Sequence, residues 1–192
     1  MSVILYDVDT QKDFMDSDGA LYVPGAENIK SAIALEIMGA LQTGIQIVGS
    51  LDIHDGSEPE MQANGGPFPE HCMKGTKGSR KIRETPCEYR IINPGDYNLI
   101  KNAIDEKIPI YFSKTTYDVF SNPEFEKFIN EYGVKEAIVM GVATDWCVKA
   151  AVLGMQNLGV NCTVLTNAIA GVDPEASKKA LNEMETAGAE LI

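Results

Sequence analysis

Five short apolar runs, each of strand length, alternate along the chain with segments of helical periodicity. The runs are VILYDV (3–8), IQIVGSL (45–51), IPIYFS (108–113), AIVMGV (137–142) and CTVLT (162–166). Strands buried on both faces of a sheet read as continuous apolar runs, and repeated strand–helix succession indicates parallel pairing. The pattern predicts a three-layer α/β/α fold with a doubly wound, mainly parallel sheet.

Three of the intervening segments carry helix signals. Residues 28–44 have a broad apolar face that stops at Gly44. Residues 122–133 and 173–188 each begin with Asn or Asp followed by proline, and each ends at glycine. Because Asn and Asp cap helices and proline suits the first helical position, these segments are predicted to be helices.

The length of 192 residues suits a single domain, residues 1–192, with one unusual segment. Residues from about 52 to 95 are rich in glycine, proline and charge and lack clear periodicity. A loop of that length in a compact domain is usually functional. We therefore expect the functional loop of the domain in this segment.

Charge and cysteine content narrow the class of partner. The formal net charge is -12 and the pI about 4.5, which disfavours nucleic acid and anionic membranes and leaves a small molecule as the expected ligand. No apolar run is long enough for a membrane span, and no secretory leader is evident. The four cysteines form no CxxC pair, so we expect free thiols and a cytoplasmic protein.

The stretch GVATDWCV (141–148) places a cysteine after a predicted strand. Thr144 or Asp145 could cap the following helix, which would put Cys147 in its first turn. Such a turn is electropositive and favours a thiolate, and ligands of parallel α/β sheets bind at the carboxyl ends of strands. Cys147 is thus a candidate nucleophile, with an inert core cysteine as the alternative.

An acid and a base follow two other predicted strands. Asp9 follows the run 3–8, and Lys114 follows the run 108–113. A carboxylate can take the proton of a thiol and pass it to a leaving amine, while an ammonium keeps that carboxylate charged and oriented. Spacing alone does not distinguish Asp9 from Asp7 or Asp13.

Both histidines of the chain, His54 and His71, fall in the long loop region. Asp52, Glu58 and Glu60 lie in the same region. Imidazole together with carboxylate suits Zn, Mn or Fe(II) and leaves coordination positions for water or a ligand nitrogen. The alternative is two loop histidines that hydrogen-bond to the backbone.

Four blocks of sequence together carry a resemblance to a known family. They are DTQKDF (9–14), DIH...EPE...FPEHCMKGT (52–76), SKTTYDVF (113–120) and GVATDWCV (141–148). In their order and spacing they resemble the nicotinamidases of the isochorismatase-like cysteine hydrolase superfamily. The resemblance implies a single isochorismatase-like hydrolase domain that converts nicotinamide to nicotinic acid and ammonia through a cysteine thioester.

The resemblance also implies roles for individual residues. The catalytic triad would be Asp9, Lys114 and Cys147, because Asp9 matches the first residue of the D-x-Q-x-D-F motif. A cis peptide bond before Ala143 would direct the backbone N–H groups of Ala143 and Cys147 toward one point as an oxyanion hole. The substrate ring would contact Phe14, Phe68 and Tyr117.

One divalent metal ion, Zn, Mn or Fe, is implied as cofactor. Its ligands would be Asp52, His54 and His71, with Glu60 at a position where some family members have histidine. Glu58 is the second choice for this fourth ligand, and glutamate would shift the preference toward Mn or Fe.

Other functions compete with this interpretation. Another amidase of the superfamily acting on a related small amide, a non-catalytic pyridine-binding protein and a thiol redox protein are the alternatives. The segment 79–107 matches no motif and is left without a role, and association into a homo-oligomer is left open.

Overall fold

The computed structural model describes residues 1–192, which form seven strands and six helices. The strands are β1 (Val3–Val8), β2 (Gln46–Asp52), β3 (Arg90–Ile92), β4 (Ile110–Lys114), β5 (Glu136–Val142), β6 (Asn161–Ala170) and β7 (Glu190–Leu191). The helices are α1 (Lys12–Met15), α2 (Ala26–Thr43), α3 (Asn98–Asp105), α4 (Pro123–Glu131), α5 (Lys149–Asn157) and α6 (Pro174–Thr186). None of these helices combines the length and the apolar character needed to cross a bilayer.

The strands form one sheet in the order β3-β4-β2-β1-β5-β6-β7, and every neighbouring pair is parallel. The chain moves from β1 through β2 to β3 toward one edge, and all later connections run toward the other edge. Because crossovers between parallel strands are right-handed, a reversal of direction moves the connecting segments to the opposite face of the sheet. The doubly wound parallel sheet is thus confirmed.

The two faces of the sheet are covered as this rule requires. One apolar core joins the sheet to α3, α4, α5 and α6. The other core joins the opposite face to α1, α2 and parts of the long connection between β2 and β3. The result is the predicted three-layer α/β/α arrangement, in which residues 53–89 lie on the same side as α2.

The helix signals in the sequence correspond to real caps. The Asn122 side chain accepts a hydrogen bond from the Glu124 N–H at 3.1 Å, and the Asp173 side chain accepts one from the Ala176 N–H at 2.7 Å. Helix α2 ends before Gly44, whose φ of 73° is the left-handed conformation that favours glycine. The three predicted helices are confirmed to within two or three residues.

Several elements escaped the sequence analysis. β3, β7 and α1 are too short to show a period, and the eight-residue α3 buries only Ile100 and Ala103. β3 and α3 occupy much of the segment 79–107, so the irregular loop ends at residue 89 rather than near 95. β6 extends to Ala170, beyond the predicted run 162–166. The prediction stopped early because Thr166 and Asn167 are exposed within the strand and interrupt its apolar run.

Gly49 lies in the centre of β2, between Asp7 of β1 and Tyr111 of β4 in the strand register. A Cβ atom at this position would stand 2.2 Å from the Asp7 carbonyl oxygen and 2.6 Å from the Tyr111 ring. The ring of Tyr111 thus occupies the space over β2 that a side chain would fill.

We expect Gly49→Ala to lower the free energy of unfolding by about 3 kcal/mol, since the backbone and ring that it meets cannot move aside easily. Gly39→Ala in α2 is the matched control, because a Cβ there meets nothing within 4 Å. The control should raise stability by up to about 1 kcal/mol through helix propensity. Urea unfolding of both variants measures the difference, and equal effects would contradict this account of β2.

Candidate active site

The carboxyl ends of four strands bring the candidate residues to one edge of the sheet. Asp9 follows β1, Asp52 ends β2, Lys114 ends β4, and Ala143 follows β5. The connections that follow the neighbouring strands β1 and β5 run in opposite directions along the sheet, and the crevice outside such a switch point is where open α/β sheets bind ligands. The predicted convergence of these strand ends is confirmed.

Lys114 is the centre of the polar cluster. Its side chain is buried, and its Nζ lies 2.8 Å from Asp9 Oδ2 and 3.6 Å from Cys147 Sγ. The same ammonium donates a hydrogen bond to Asp52 Oδ1. In the register of β2 and β4, Asp52 stands directly opposite Lys114, so this contact follows from strand pairing. One cation therefore joins the thiol to two carboxylates.

The other two aspartates near Asp9 have different partners. Asp7 points to the face of the sheet that α2 covers, where Lys81 Nζ lies 2.5 Å from its Oδ2. Asp13 accepts hydrogen bonds from the N–H groups of Cys72 and Ala20, at 2.7 and 3.2 Å. Of the three carboxylates that spacing left open, only that of Asp9 contacts Lys114.

Burial and the neighbouring charges act against each other on the pKa values of this cluster. It raises the pKa of the Cys147 thiol well above its usual range; Lys114 opposes that shift and Asp9 adds to it. Burial also raises the pKa of Asp9, against the effect of Lys114. For Lys114, burial favours the neutral form, but Asp52 and Asp9 raise its pKa above the ordinary value. The ammonium is therefore charged, and Cys147 rests as a neutral thiol.

The local structure around Cys147 differs from the expected capped helix. Thr144–Val148 forms a wide helical turn before α5, and no side chain caps it. Asp145 instead accepts hydrogen bonds from the N–H groups of Val172 and Asp173, at 2.9 and 3.1 Å. The predicted cap is wrong because Asp145 faces the start of α6. The thiolate that such a turn favours is opposed by burial, which raises the pKa of Cys147 against the effect of Lys114.

The backbone at Ala143 offers a free donor beside the thiol. The peptide bond between Val142 and Ala143 is cis, as the resemblance implies. The Ala143 carbonyl accepts hydrogen bonds from Trp146 and Val148, at 3.0 and 3.1 Å, whereas its own N–H meets no acceptor within the chain. A buried N–H without an acceptor next to a nucleophile can serve a developing oxyanion.

Asp52, His54 and His71 form a buried site that could hold one metal ion, with ligand atoms within 4.8 Å of one another. Glu60 lies beside them: its Oε1 is 3.4 Å from His54 Nε2 and 3.9 Å from His71 Nε2. The Asp52 Oδ2 atom lies 3.9 and 3.8 Å from the same two nitrogens. Two imidazole nitrogens and two carboxylate oxygens thus face a common point.

The hydrogen bonding of the histidines fits a metal ion. His71 Nδ1 lies 2.8 Å from the Pro69 carbonyl, which fixes the proton on Nδ1 and leaves Nε2 as a lone-pair donor. His54 is fully buried, and neither of its ring nitrogens has a hydrogen-bond partner. Buried polar atoms are rarely left unsatisfied, and a metal ion at Nε2 would satisfy one of these two atoms.

Glu58 stands on the other side of His54. Its Oε1 lies 3.7 Å from His54 Nδ1, and its carboxylate accepts hydrogen bonds from the N–H groups of Asp55 and Gly56, both at 3.0 Å. The two glutamates therefore contact opposite edges of one ring. Of the two, only Glu60 faces the Nε2 atoms of both histidines, whereas Glu58 faces Nδ1 of His54.

A cavity of about 140 Å³ opens between the thiol and the metal-binding residues. Its lining is mostly apolar and includes Phe14, Phe68 and Tyr117, the three residues expected around a substrate ring. Trp146 also lines the cavity, and its ring centre lies 5.4 Å from that of Phe68 and 5.8 Å from that of Tyr117. Trp146 is not among the residues predicted from the sequence to contact the substrate, although this only tryptophan of the chain directly precedes Cys147.

Known proteins with similar sequences carry related names. The nicotinamidase of Escherichia coli is 28% identical over 201 residues, which cover 96% of this chain and 91% of that protein. The nicotinamidase/pyrazinamidase of Mycobacterium tuberculosis is 26% identical over 196 residues, or 96% and 95% of the two chains.

Structural similarity extends over the whole chain. The pyrazinamidase of Pyrococcus horikoshii, solved in complex with zinc, superposes with a TM-score of 0.84 and 28% identity, covering 100% of this chain and 99% of that one. The sequence profile of the isochorismatase domain matches residues 93–192, which include Lys114, Ala143 and Cys147. On the evidence of this match, of the parallel sheet and of the site at its carboxyl edge, the chain belongs to the isochorismatase family.

Proposed function

We propose that this protein is a nicotinamidase, which hydrolyses nicotinamide to nicotinic acid and ammonia. The observation that carries the proposal is the buried contact of Asp9, Lys114 and Cys147 beside an apolar cavity that also borders a potential metal site. The names of the relatives support the same activity. We further propose that residues 1–192 form one hydrolase domain and that the enzyme acts in the cytoplasm.

The cavity suits a flat aromatic amide. Phe14, Phe68 and Trp146 provide ring faces and edges, and Tyr117 lies at the exposed mouth. Asp52, Glu60, His71 and Cys147 all line the cavity, so a pyridine with its carboxamide meta to the ring nitrogen can meet both the metal-binding residues and the thiol. A divalent metal held by Asp52, His54, His71 and Glu60 would bind the pyridine nitrogen and thereby fix the ring.

The proton transfers start from the buried ion pair of Asp9 with Lys114. Asp9, as a carboxylate, takes the proton of Cys147 while the sulfur forms a bond to the amide carbon. The N–H groups of Ala143 and Cys147 stabilise the oxyanion. Asp9 then gives the proton to the amide nitrogen, the carbon–nitrogen bond breaks, and ammonia leaves.

Water completes the cycle. Asp9 removes a proton from a water molecule that attacks the thioester carbon, and the sulfur leaves with that proton restored to it. Lys114 stays charged throughout, because Asp9 and Asp52 both raise its pKa. It therefore holds the Asp9 carboxylate in place and stabilises the thiolate while it exists.

Two functions compete with this proposal: hydrolysis of a related small amide, and binding of a pyridine compound without catalysis. A binding protein needs the cavity and the metal residues but has no use for a thiol in contact with a buried ammonium and near a buried carboxylate. This difference favours an enzyme. Turnover of nicotinamide compared with pyrazinamide, followed by ammonia release, separates the amide substrates.

We expect Cys147→Ala to lower kcat by on the order of 10⁴-fold or more, because the acyl group then has no covalent acceptor. Cys162→Ala is the matched control, since Cys162 is also buried but lies in β6, where burial raises the pKa of its thiol to about 12. The control should keep kcat and lose only some thermal stability. Ammonia release and circular dichroism test both variants, and substantial turnover by Cys147→Ala would rule out the covalent route.

We expect Glu60→Gln to weaken metal binding more than Glu58→Gln does, because only Glu60 faces the Nε2 atoms of both histidines. His54→Ala should lose the metal altogether. Changes near a metal commonly cost 10- to 100-fold, so we expect about 100-fold for Glu60→Gln and about 10-fold for Glu58→Gln. Titration with Zn²⁺ and elemental analysis give the affinities; the reverse order would assign Glu58 as the ligand.

A further inference from the structure

The proposed reaction makes no use of a second buried ion pair, between Asp7 and Lys81. Asp7 is fully buried near the carboxyl end of β1, and Lys81 Nζ lies 2.5 Å from its Oδ2. The Tyr111 hydroxyl donates to the same oxygen at 2.7 Å, and the Thr10 hydroxyl donates to Oδ1 at 2.8 Å. Three donors from three parts of the chain therefore satisfy both oxygens of one carboxylate.

The strand register builds this group into the sheet. Asp7, Gly49 and Tyr111 form a row across β1, β2 and β4. Because Gly49 has no side chain, the Tyr111 ring crosses over β2 and reaches Asp7. Lys81 covers the ring, with its Nζ 4.2 Å from the ring centre, and so adds a cation–π contact to the ion pair.

The ion pair connects directly to the backbone that carries Asp9. Lys12 N–H donates to the Arg80 carbonyl at 2.9 Å, and Ile82 N–H donates to the Thr10 carbonyl at 3.0 Å. The segments 10–12 and 80–82 are thus paired on either side of Lys81, immediately after Asp9. Asp9 itself has a φ of 45°, a left-handed conformation that non-glycine residues seldom adopt.

The energetics do not explain the ion pair as a means of stability. Well-packed apolar residues in place of a buried ion pair are often neutral or stabilising, whereas loss of one partner leaves an uncompensated charge. A buried pair is therefore weak evidence for stability and stronger evidence for a requirement of geometry. The geometry that it borders is the left-handed bend at Asp9.

We propose that Asp7 and Lys81 are a positioning pair, which holds the bend at Asp9 so that its carboxylate stays between Lys114 and Cys147. The Thr10 hydroxyl bond fixes the residue after Asp9 to the residue two before it. Lys81 joins the same carboxylate to the segment that pairs with 10–12. In its catalytic consequence this inference rests on the proposed amidase function.

The test compares Lys81→Met with Met184→Ala. Met184 is buried in α6, in the core on the opposite face of the sheet, so its truncation lowers thermal stability without reaching Asp9. For Lys81→Met we expect kcat on nicotinamide to fall by about tenfold or more, because small misplacements of a base are costly, with KM and zinc content unchanged. Met184→Ala should melt at a lower temperature and keep kcat.

A second readout does not require amide turnover. The rate of Cys147 alkylation by iodoacetamide, mapped by mass spectrometry, is measured for wild type, Asp9→Asn, Lys81→Met and Met184→Ala. The Lys81→Met rate should depart from wild type toward that of Asp9→Asn, and Met184→Ala should match wild type. If wild type releases no ammonia from nicotinamide but this order holds, the proposed function fails and the positioning pair stands.

Equal behaviour of Lys81→Met and Met184→Ala in both measurements would overturn the positioning role. If Lys81→Met does not fold, Tyr111→Phe decides the question, since it removes one donor to Asp7 and keeps the ring. It should change the alkylation rate and kcat in the same direction to a smaller extent. A folded Tyr111→Phe with wild-type values would then reject the proposal.

Discussion

A single buried ammonium, that of Lys114, organises the site. It stands among Asp9, Asp52 and Cys147, all of which are buried. Two carboxylates this far from water would repel each other and favour protonation if no cation lay between them. Lys114 ends β4 and reaches past β2 to Asp9 beyond β1, so one side chain spans three strands. The thiol chemistry and the metal site therefore share one counter-ion.

The order of the strands places the metal-binding residues and the nucleophile around that ammonium. The connection from β2 to β3 starts at the carboxyl edge, and this connection carries His54, Glu60 and His71. β5 ends at the same edge and presents Ala143 and Cys147. The 3.6 Å contact of Lys114 with Cys147 Sγ and its hydrogen bond to Asp52 then bring a nucleophile and a metal site to one cavity.

Local patterns were sufficient for the five longer strands and for α2, α4 and α6, because apolar runs, caps and prolines act over a few residues. They also placed Asp9, Lys114 and Cys147 at strand ends. They were insufficient where contacts between distant segments determine the hydrogen-bond or ion-pair partner of a side chain. Asp145 does not cap the turn in which it lies, because its two carboxylate oxygens accept hydrogen bonds from the N–H groups of Val172 and Asp173. The distinction between Asp7 and Asp9 likewise depends on which lysine each meets, Lys81 or Lys114.

The central claim is that Cys147 attacks a carbonyl carbon presented by a pyridine ring in this cavity. Nicotinaldehyde labelled with ¹³C at the aldehyde carbon tests it directly by NMR of the zinc-loaded protein. The account predicts a tetrahedral thiohemiacetal carbon that disappears in Cys147→Ala. A bound aldehyde that keeps its trigonal carbon beside an intact thiol would contradict covalent catalysis and identify a pyridine-binding protein instead.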